Sequence, residues 1–170
     1  MASVVVEDAE LLLDLLNTRP IVNGVANDRL AGAAGGRWLG AHGLPDSPAD
    51  AAAARRVRDA IAAVLRGRAG AETLQPLLAG VSRTPVVEPA GVRWELHTGP
   101  AEPFGVRCVL AWSRLAESLP GRLRPCANEE CGLFLLDRSR ANARLWCSMS
   151  ACGNRLKARR HYRRVAGRAD

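Results

Sequence analysis

Four cysteines in the last third of the chain are the residues whose type and spacing most clearly indicate chemistry. Cys126 and Cys131 form one close pair, and Cys147 and Cys152 form a second. Zinc prefers four soft ligands in a tetrahedron, and two short cysteine pairs from separate turns supply them. We therefore predict one Zn²⁺ bound by all four thiolates. Because such a closed site leaves no open coordination position, the metal is expected to build structure and not to perform chemistry.

Disulfide bonds are the alternative use of paired cysteines. The first residues lack the basic start and apolar run of a secretory signal, and no apolar run approaches the roughly 18 residues of a membrane span. We therefore expect a cytoplasmic, nucleoid-associated protein with no membrane partner, and in that compartment paired cysteines are more often metal ligands than disulfides. The fifth cysteine, Cys108, lies in an apolar stretch and is predicted to be a small buried side chain.

The positive charge of the chain is concentrated around these cysteines. Residues 122–170 contain 12 basic and 4 acidic residues, a net charge of +8, whereas residues 1–121 contain 12 basic and 13 acidic residues, a net charge of −1. Four thiolates around one Zn²⁺ leave a formal −2, so about +6 remains to attract a polyanion. The chain has a single lysine, Lys157, among many arginines, a bias typical of a bacterial genome rich in G and C.

The first 120 residues read as a mainly helical α+β domain. Leucines at helical spacing predict a helix ending at Asn17-Thr18, and a second helix is predicted from Asp28, as its N-cap, to Gly43. Ser47-Pro48 marks the start of a third helix, and residues 104–119 form a fourth. A short helix is predicted over 74–78. Strands are predicted at 86–87 and 92–96, joined by a turn at 89–91.

The cysteine module, residues 121–170, is predicted to be a treble-clef-like zinc finger. Its strands are expected at 133–136 and 143–146, forming a hairpin after the first cysteine pair. Cys152 is expected to open a final helix over about 153–165. Such a module has almost no core of its own, so metal binding is expected to supply its folding energy. Phe134 and Trp146 are predicted to form a small core there, with base stacking as the alternative.

The last helix carries arginines every four residues and no acidic residue, a spacing that destabilises an isolated helix. A solvated helix face is the simple interpretation. The alternative, a phosphate-binding surface, is favoured and would show a steep salt dependence. DNA is the expected partner, with RNA or a protein as the other options. The candidate contact residues are Arg138, Arg140, Arg144, Asn154, Arg155, Lys157, Arg159, Arg160, Arg163 and Arg164.

The module resembles the CGNR-type zinc finger. The matching elements are the two cysteine pairs, Phe134 to Arg140, Arg144 to Met149, and Cys152-Gly153-Asn154-Arg155. One extra residue between Phe134 and Asp137 departs from that pattern. The first 120 residues are similar, more loosely, to the ABATE domain of bacterial stress-induced transcription regulators. This resemblance implies a one-component regulator, with a ligand-sensing domain at residues 1–120 and a DNA-contacting finger at 121–170.

An enzyme is the first alternative to a regulator. His42, His97 and Cys108 show no spacing that joins a nucleophile to a base, and Gly32 to Gly36 lacks the Lys-Ser/Thr of a phosphate-binding loop, so we expect no catalytic activity. The resemblance implies an unidentified small-molecule effector. The candidate ligand-binding residues are Asn17, Thr18 and Arg19, at a predicted helix end, and Trp38, within a predicted helix. The alternative is that these side chains only cap or pack the helices. A single finger reads few bases, so a homodimer is an open alternative.

Overall fold

A computed structural model describes residues 2–100 and 102–159, and it has the predicted α+β architecture. Within residues 2–118 the helices are α1 (Ala2–Leu16), α2 (Gly32–Ala41), α3 (Pro48–Leu65) and α4 (Pro103–Ser118), with a 3₁₀-helix at Ala71–Leu78. Three antiparallel two-stranded sheets accompany them: β1 (Ile21–Val22) with β2 (Val25–Ala26), β3 (Ser82–Glu88) with β4 (Gly91–His97), and β5 (Leu123–Pro125) with β6 (Phe134–Leu136). Within the described residues, no helix has the length and apolarity needed to cross a membrane.

Helix starts follow local capping chemistry where the sequence offers it. The Ser47 hydroxyl accepts a hydrogen bond from the Asp50 amide at 3.2 Å, and the Asp50 carboxylate accepts one from the Ser47 amide at 3.2 Å. This capping box, with Pro48 at the first helical position, confirms the predicted start of α3. At α4 the N-cap is Glu102, whose carboxylate accepts from the amides of the first turn. These contacts satisfy amides that would otherwise lack partners.

The predicted start of α2 at Asp28 is wrong, because the helix begins at Gly32. The Asp28 carboxylate accepts a hydrogen bond from the Leu30 amide at 3.0 Å and two from the Arg58 guanidinium, at 2.6 and 3.0 Å. Its capping capacity is therefore used in a turn that precedes the helix. At Gly35 an added Cβ would lie 2.5 Å from the Leu30 carbonyl oxygen, so glycine lets that turn pack directly on α2.

One hydrophobic core joins the helices to the small sheet of the cysteine module. Leu12 and Leu15 of α1 and Ile61 of α3 are fully buried in this core, and Phe134 and Leu136 of β6 belong to the same cluster. The predicted boundary at residue 120 falls in the turn between α4 and β5. The apolar side chains of β5 and β6 are nevertheless buried together with those of the helices. The cysteine module therefore shares the helical core, which the sequence alone did not show.

The predicted hairpin of the cysteine module is wrong in its pairing. β6 pairs with β5, with Leu123 opposite Leu136 and Pro125 opposite Phe134, and residues 143–146 form no strand. The physical reason is that the backbone of 143–146 binds other groups: the Leu145 carbonyl accepts from the Ala127 amide at 2.8 Å, and the Arg144 amide donates to the Asp137 carboxylate at 2.8 Å. These bonds hold 143–146 as an irregular segment.

The Phe134–Trp146 mini-core is also corrected. Phe134 is buried in the main core, under the Arg66 guanidinium, which lies 4.3 Å from the ring centroid. Trp146 instead packs beside the cysteines. The predicted β3–β4 hairpin is confirmed and is longer than expected, and its turn at Pro89-Ala90 ends in Gly91 with φ +134°. Cys108 is buried in the core as predicted.

The guanidinium of Arg58 is a charged group buried within the helical part of the fold. It is 2% exposed and binds Asp28, Asp59 at 2.8 Å and the Thr18 hydroxyl at 3.1 Å. The hydrogen bonds from Arg58 hold the pKa of Asp28 below its ordinary value. Breaking a buried pair by removing one partner leaves the other uncompensated.

We therefore expect Arg58→Met to lower the free energy of unfolding by about 3 kcal/mol. The measurement is urea unfolding of the zinc-loaded protein followed by circular dichroism. Arg56→Met is the matched control, since Arg56 is an exposed neighbour on the same helix, and it should change stability by less than about 0.5 kcal/mol. Equal losses for the two variants would contradict the role assigned to Arg58.

Candidate metal centre and nucleic-acid interface

The four predicted cysteine ligands meet at one point. Their sulfur atoms all lie within 4.8 Å of one another, and the distances from Cys147 Sγ to those of Cys131 and Cys152 are 3.5 and 3.7 Å. A tetrahedral Zn²⁺ with Zn–S bonds of about 2.3 Å requires sulfur separations of about 3.8 Å. Cys126, Cys131 and Cys152 are buried and Cys147 is half-buried. The donor set and its spacing fit one structural zinc ion, as predicted.

The first cysteine pair sits on a tight turn after β5. The Cys126 amide donates to the Leu133 carbonyl at 2.8 Å, and the Cys131 amide donates to the Asn128 carbonyl at 2.9 Å. Gly132 then takes φ +73°, where an added Cβ would lie 2.9 Å from Ile21 Cγ1 and 3.0 Å from the Arg19 carbonyl oxygen. Glycine is required there both for its conformation and for the close approach of the β1 backbone.

The second pair is held by a single π-helical turn, Met149–Gly153. The Ser148 hydroxyl caps it by accepting from the Ala151 amide at 3.0 Å, and the Ser148 carbonyl accepts from the Cys152 amide at 3.1 Å. An α-helical segment follows at residues 154–159. Cys152 was expected to lie in the first turn of a helix. It lies instead in the π-helical turn that directly precedes the α-helical segment. The continuation to residue 165 lies outside the described residues.

Two N–H groups stabilise charge on the sulfurs. The buried Asn128 side-chain amide donates to Cys152 Sγ at 3.4 Å, and the Cys147 amide donates to Cys126 Sγ at 3.4 Å. Such outer contacts orient ligands and favour their thiolate form. In the metal-free site, burial raises the pKa of the Cys131 thiol to about 11, so the thiol is protonated at neutral pH. Because zinc binds the thiolate, zinc binding releases this proton. Asn128 was not identified from the sequence, where it is one polar residue among several.

We expect Cys131→Ser to lose the bound zinc while retaining most of its helix. The reason is that α1, α3 and α4 pack in the shared core, which contains none of the four zinc ligands. Metal analysis should give less than about half an equivalent of zinc per chain, with far-UV circular dichroism largely preserved. Cys108→Ala is the control and should keep one equivalent, since Cys108 lies outside the cluster. Complete unfolding of the zinc-free variant would contradict the shared core.

The Asp137 carboxylate organises the arginine-containing loop that follows β6. Asp137 is 1% exposed and accepts hydrogen bonds from the Ser139 amide at 2.9 Å, the Arg144 amide at 2.8 Å and the Arg124 guanidinium at 3.0 Å. Hydrogen bonds from the Ser139 side chain and from the Arg144 and Ser139 amides, with the charge of Arg124, hold the pKa of Asp137 well below its usual range. The carboxylate is therefore a fixed anchor for residues 138–144.

Arg124 closes the same loop from the other side. Its guanidinium donates to the Gly121 carbonyl and to the Asn142 side-chain oxygen, both at 2.7 Å, and to the Arg144 carbonyl. Asn142 adopts φ +46°, a conformation that asparagine tolerates better than most residues. Arg124 and Asn142 were not singled out from the sequence, because their contacts join segments that are 18 residues apart.

We expect Asp137→Asn to lower the free energy of unfolding by about 1–3 kcal/mol, because an amide cannot replace a carboxylate that accepts from three sides. The pH dependence has a definite sign. A depressed folded-state pKa stabilises the protein above the unfolded value of about 4, and this contribution is lost as pH falls further. The difference between wild type and variant in urea unfolding should therefore shrink below about pH 4.

The exposed substitution Asp46→Asn is the control for that experiment, and it should match the wild type at each pH. Zinc release in acid affects the wild type and the Asp137→Asn variant alike, since both carry the same four ligands. Taking the difference between these two proteins therefore removes that effect. A stability difference that stayed constant from pH 7 to pH 3 would contradict the assigned role of the Asp137 carboxylate.

The predicted nucleic-acid contacts fall into distinct groups. Arg144 donates to the carbonyls of Trp146, at 3.0 Å, and Cys147, so its guanidinium supports the second cysteine pair. Arg138 pairs with Glu10 of α1, and Arg159 pairs with Glu130 at 2.9 Å. The remaining described candidates, Arg140, Asn154, Arg155 and Lys157, are all exposed. The three cations among them form no ion pair with the carboxylates in residues 2–100 and 102–159. Arg160, Arg163 and Arg164 lie outside the described residues.

The predicted ligand-binding residues make contacts within the fold. The Asn17 side chain accepts from the Phe134 amide at 2.8 Å and donates to its carbonyl at 3.4 Å. Thr18 is buried and donates to the Leu15 carbonyl at 2.7 Å. Arg19 lies 3.8 Å from Asp59, and Trp38 packs on His42 and Phe104. The structure does not bring these four side chains into one cavity, and Asn17 instead links α1 to β6.

Comparison with known families assigns both parts of the chain. Residues 122–165 match the model of the CGNR zinc finger. Residues 9–124 match the ABATE model, described as "Putative stress-induced transcription regulator". The chain belongs to the ABATE family. Its ABATE part contains α2, α3, α4 and the second half of α1, and its CGNR part contains the zinc ligands, as the resemblance implied. A comparison with curated proteins finds no match.

Proposed function

We propose that this ABATE protein is a DNA-binding transcription regulator in which the zinc finger supplies the DNA contacts. The observation that carries the proposal is the charge of the finger. From residue 138 to residue 159 every charged side chain is basic, and the segment is anchored by the metal centre and by Asp137. A rigid surface of one charge sign attracts a polyanion and lowers the entropy lost on binding it.

Among the described residues of the finger, three cations are immediately available for phosphate contacts: Arg140, Arg155 and Lys157. Arg138 and Arg159 could join them, because their ion pairs are exposed on both sides, with side-chain exposures between 46% and 55%. Exposed pairs contribute little, typically about 0–1 kcal/mol, so a phosphate can replace Glu10 or Glu130 as the partner. Arg144 is excluded from this group because its donors are bound to backbone carbonyls that support the metal site.

The family description favours DNA over RNA as the polyanion. A finger that binds only phosphates would not choose a sequence, so base contacts require further side chains. Asn154, at the start of the C-terminal helix, is exposed and has the amide group that reads adenine edges in many complexes. A cytoplasmic, nucleoid-associated location is part of this proposal, and the small-molecule effector stays a prediction from the family resemblance.

A non-catalytic role is also part of the proposal. The four-cysteine centre has no open coordination position for a substrate. Burial raises the pKa of the Cys108 thiol to about 12, so this cysteine is a core residue and not a nucleophile. Both observations favour a binding protein over an enzyme, since they assign structural roles to all five cysteines.

We expect the double variant Arg155→Glu/Lys157→Glu to weaken binding to mixed-sequence duplex DNA by at least about 100-fold at 0.1 M salt. The slope of log affinity against log salt should fall by about 2, one unit for each lost phosphate contact. Fluorescence anisotropy with zinc-loaded protein measures both quantities. Arg37→Glu is the control, because Arg37 is an exposed arginine of α2, outside the finger.

Zinc content and circular dichroism of the double variant should equal those of the wild type. Unchanged DNA affinity in the double variant would contradict the assignment of this surface. Tighter binding to duplex RNA than to DNA of the same length would replace the regulator proposal by an RNA-binding one.

A further inference from the structure

A carboxylate of the metal-binding turn lies against the basic segment that follows the zinc ligands. Glu130 Oε2 is 2.9 Å from Arg159 Nη2, and the two side chains are 55% and 46% exposed. Glu130 lies between the ligands Cys126 and Cys131, whereas Arg159 belongs to the α-helical segment at residues 154–159. The ion pair therefore joins the metal-binding turn to the segment for which we propose DNA contacts.

Arg155 belongs to the same group of charges. Residues four apart on an α-helix are neighbours on one face, so the side chains of Arg155 and Arg159 lie on the same side of the segment. The positive charge of Arg155 also acts on the Glu130 carboxylate. Two like charges at this helical spacing repel each other, and a carboxylate beside them reduces that repulsion. Glu130 therefore stabilises a pair of cations that would otherwise face each other uncompensated.

The backbone that carries Glu130 is held to the backbone that carries the arginines. The Glu130 amide donates to Asn128 Oδ1 at 3.4 Å, and Nδ2 of the same buried asparagine donates to Cys152 Sγ at 3.4 Å. Glu130 directly precedes the ligand Cys131, and Arg155 follows the ligand Cys152 by three residues. Because both cysteines belong to one metal centre, the carboxylate and the helical segment extend from neighbouring fixed points.

The same two arginines suit a phosphodiester of the DNA backbone. A phosphodiester, like a carboxylate, carries one negative charge over two terminal oxygens, and the planar fork of a guanidinium binds both kinds of group. An exposed ion pair changes an equilibrium by no more than about 5-fold, so a phosphate can displace Glu130 from Arg159. The displacement has a cost, however, because the ion pair of the free protein is lost when the phosphate binds.

We propose that Arg155 and Arg159 form one phosphodiester-binding site, and that Glu130 occupies this site in the free protein as an internal competitor of DNA. The inference rests on the proposed DNA binding, to which it adds the position of one backbone contact and a contact that limits affinity. Phosphate contacts carry no base sequence, so the competitor weakens binding to every DNA sequence by the same factor. Its consequence is weaker non-specific binding by a strongly basic finger.

Fluorescence anisotropy of the full-length, zinc-loaded protein with mixed-sequence duplex DNA tests the competitor. At about 0.1 M salt we expect Glu130→Gln to raise the DNA affinity about 3–5-fold, the factor that an exposed ion pair contributes. Glu129→Gln is the matched control, because Glu129 is the exposed neighbour in the same turn and forms no ion pair with the cations that the structure describes. It changes the net charge equally but should raise the affinity by less than about 2-fold, since solvent and salt screen a carboxylate without a partner.

A double-mutant cycle assigns the effect to Arg159. Arg159→Gln should weaken DNA binding about 3-fold more in the Glu130→Gln background than in the wild type, because Arg159 gives up no internal partner when Glu130 is absent. Zinc content and circular dichroism should be the same in all these proteins.

Three results overturn the internal competitor while the wild type still binds DNA: equal gains for the Glu130 and Glu129 variants, additive effects in the cycle, or weaker binding by Glu130→Gln. A wild type and a Glu130→Gln variant that both fail to bind DNA, with zinc and fold intact, overturn the proposed DNA binding itself and this inference with it.

Discussion

The attachment of the metal-binding turn to the helical body is the constraint on which the rest of the structure depends. Three contacts make it: the Ile21 amide donates to the Cys131 carbonyl at 2.9 Å, Arg66 donates to the Gly132 carbonyl at 2.7 Å, and Asn17 binds both backbone groups of Phe134. Because the apolar side chains of β5 and β6 complete the helical core, the zinc centre stabilises a part of the fold whose neighbours are already ordered. Metal binding and helix packing therefore contribute to the same free energy.

Arginine has two structural roles in this protein, and net charge alone does not separate them from the phosphate contacts that we propose. Arg58 is a buried structural cation, and Arg124 and Arg144 bind backbone carbonyls around the metal site. Only arginines beyond these groups can neutralise phosphates without cost to the fold. The net charge of +8 in residues 122–170 consequently overstates the binding surface, because part of it stabilises the loop that presents the remaining cations. The guanidinium is suited to binding several backbone carbonyls at once, because its N–H donors form a planar fork.

The sequence predicted features that depend on neighbouring residues and missed those that depend on distant ones. The four zinc ligands and the capping box at Ser47 follow from short spacing and local hydrogen bonding, and both were predictable. The pairing of β6 with β5 was not, because residues 143–146 also look like a strand until the bonds to Asp137 and Ala127 are known. The role of Asn17 was equally hidden, since its partner Phe134 is 117 residues away and a helix-end asparagine normally suggests a cap.

Helix α1 is the element that both the finger and the helical core use. At its C-terminal end Asn17 holds β6, and about two turns earlier Glu10 pairs with Arg138 at the start of the arginine-containing loop. Glu10, Leu13 and Arg138 line a cavity of about 400 Å³ between the helix and that loop. A shift of α1 along its axis would change the Glu10–Arg138 pair and the strand that precedes Asp137 at the same time. The finger is therefore continuous with the ABATE part, because residues of α1 and its C-terminal end contact both β6 and the start of the arginine-containing loop.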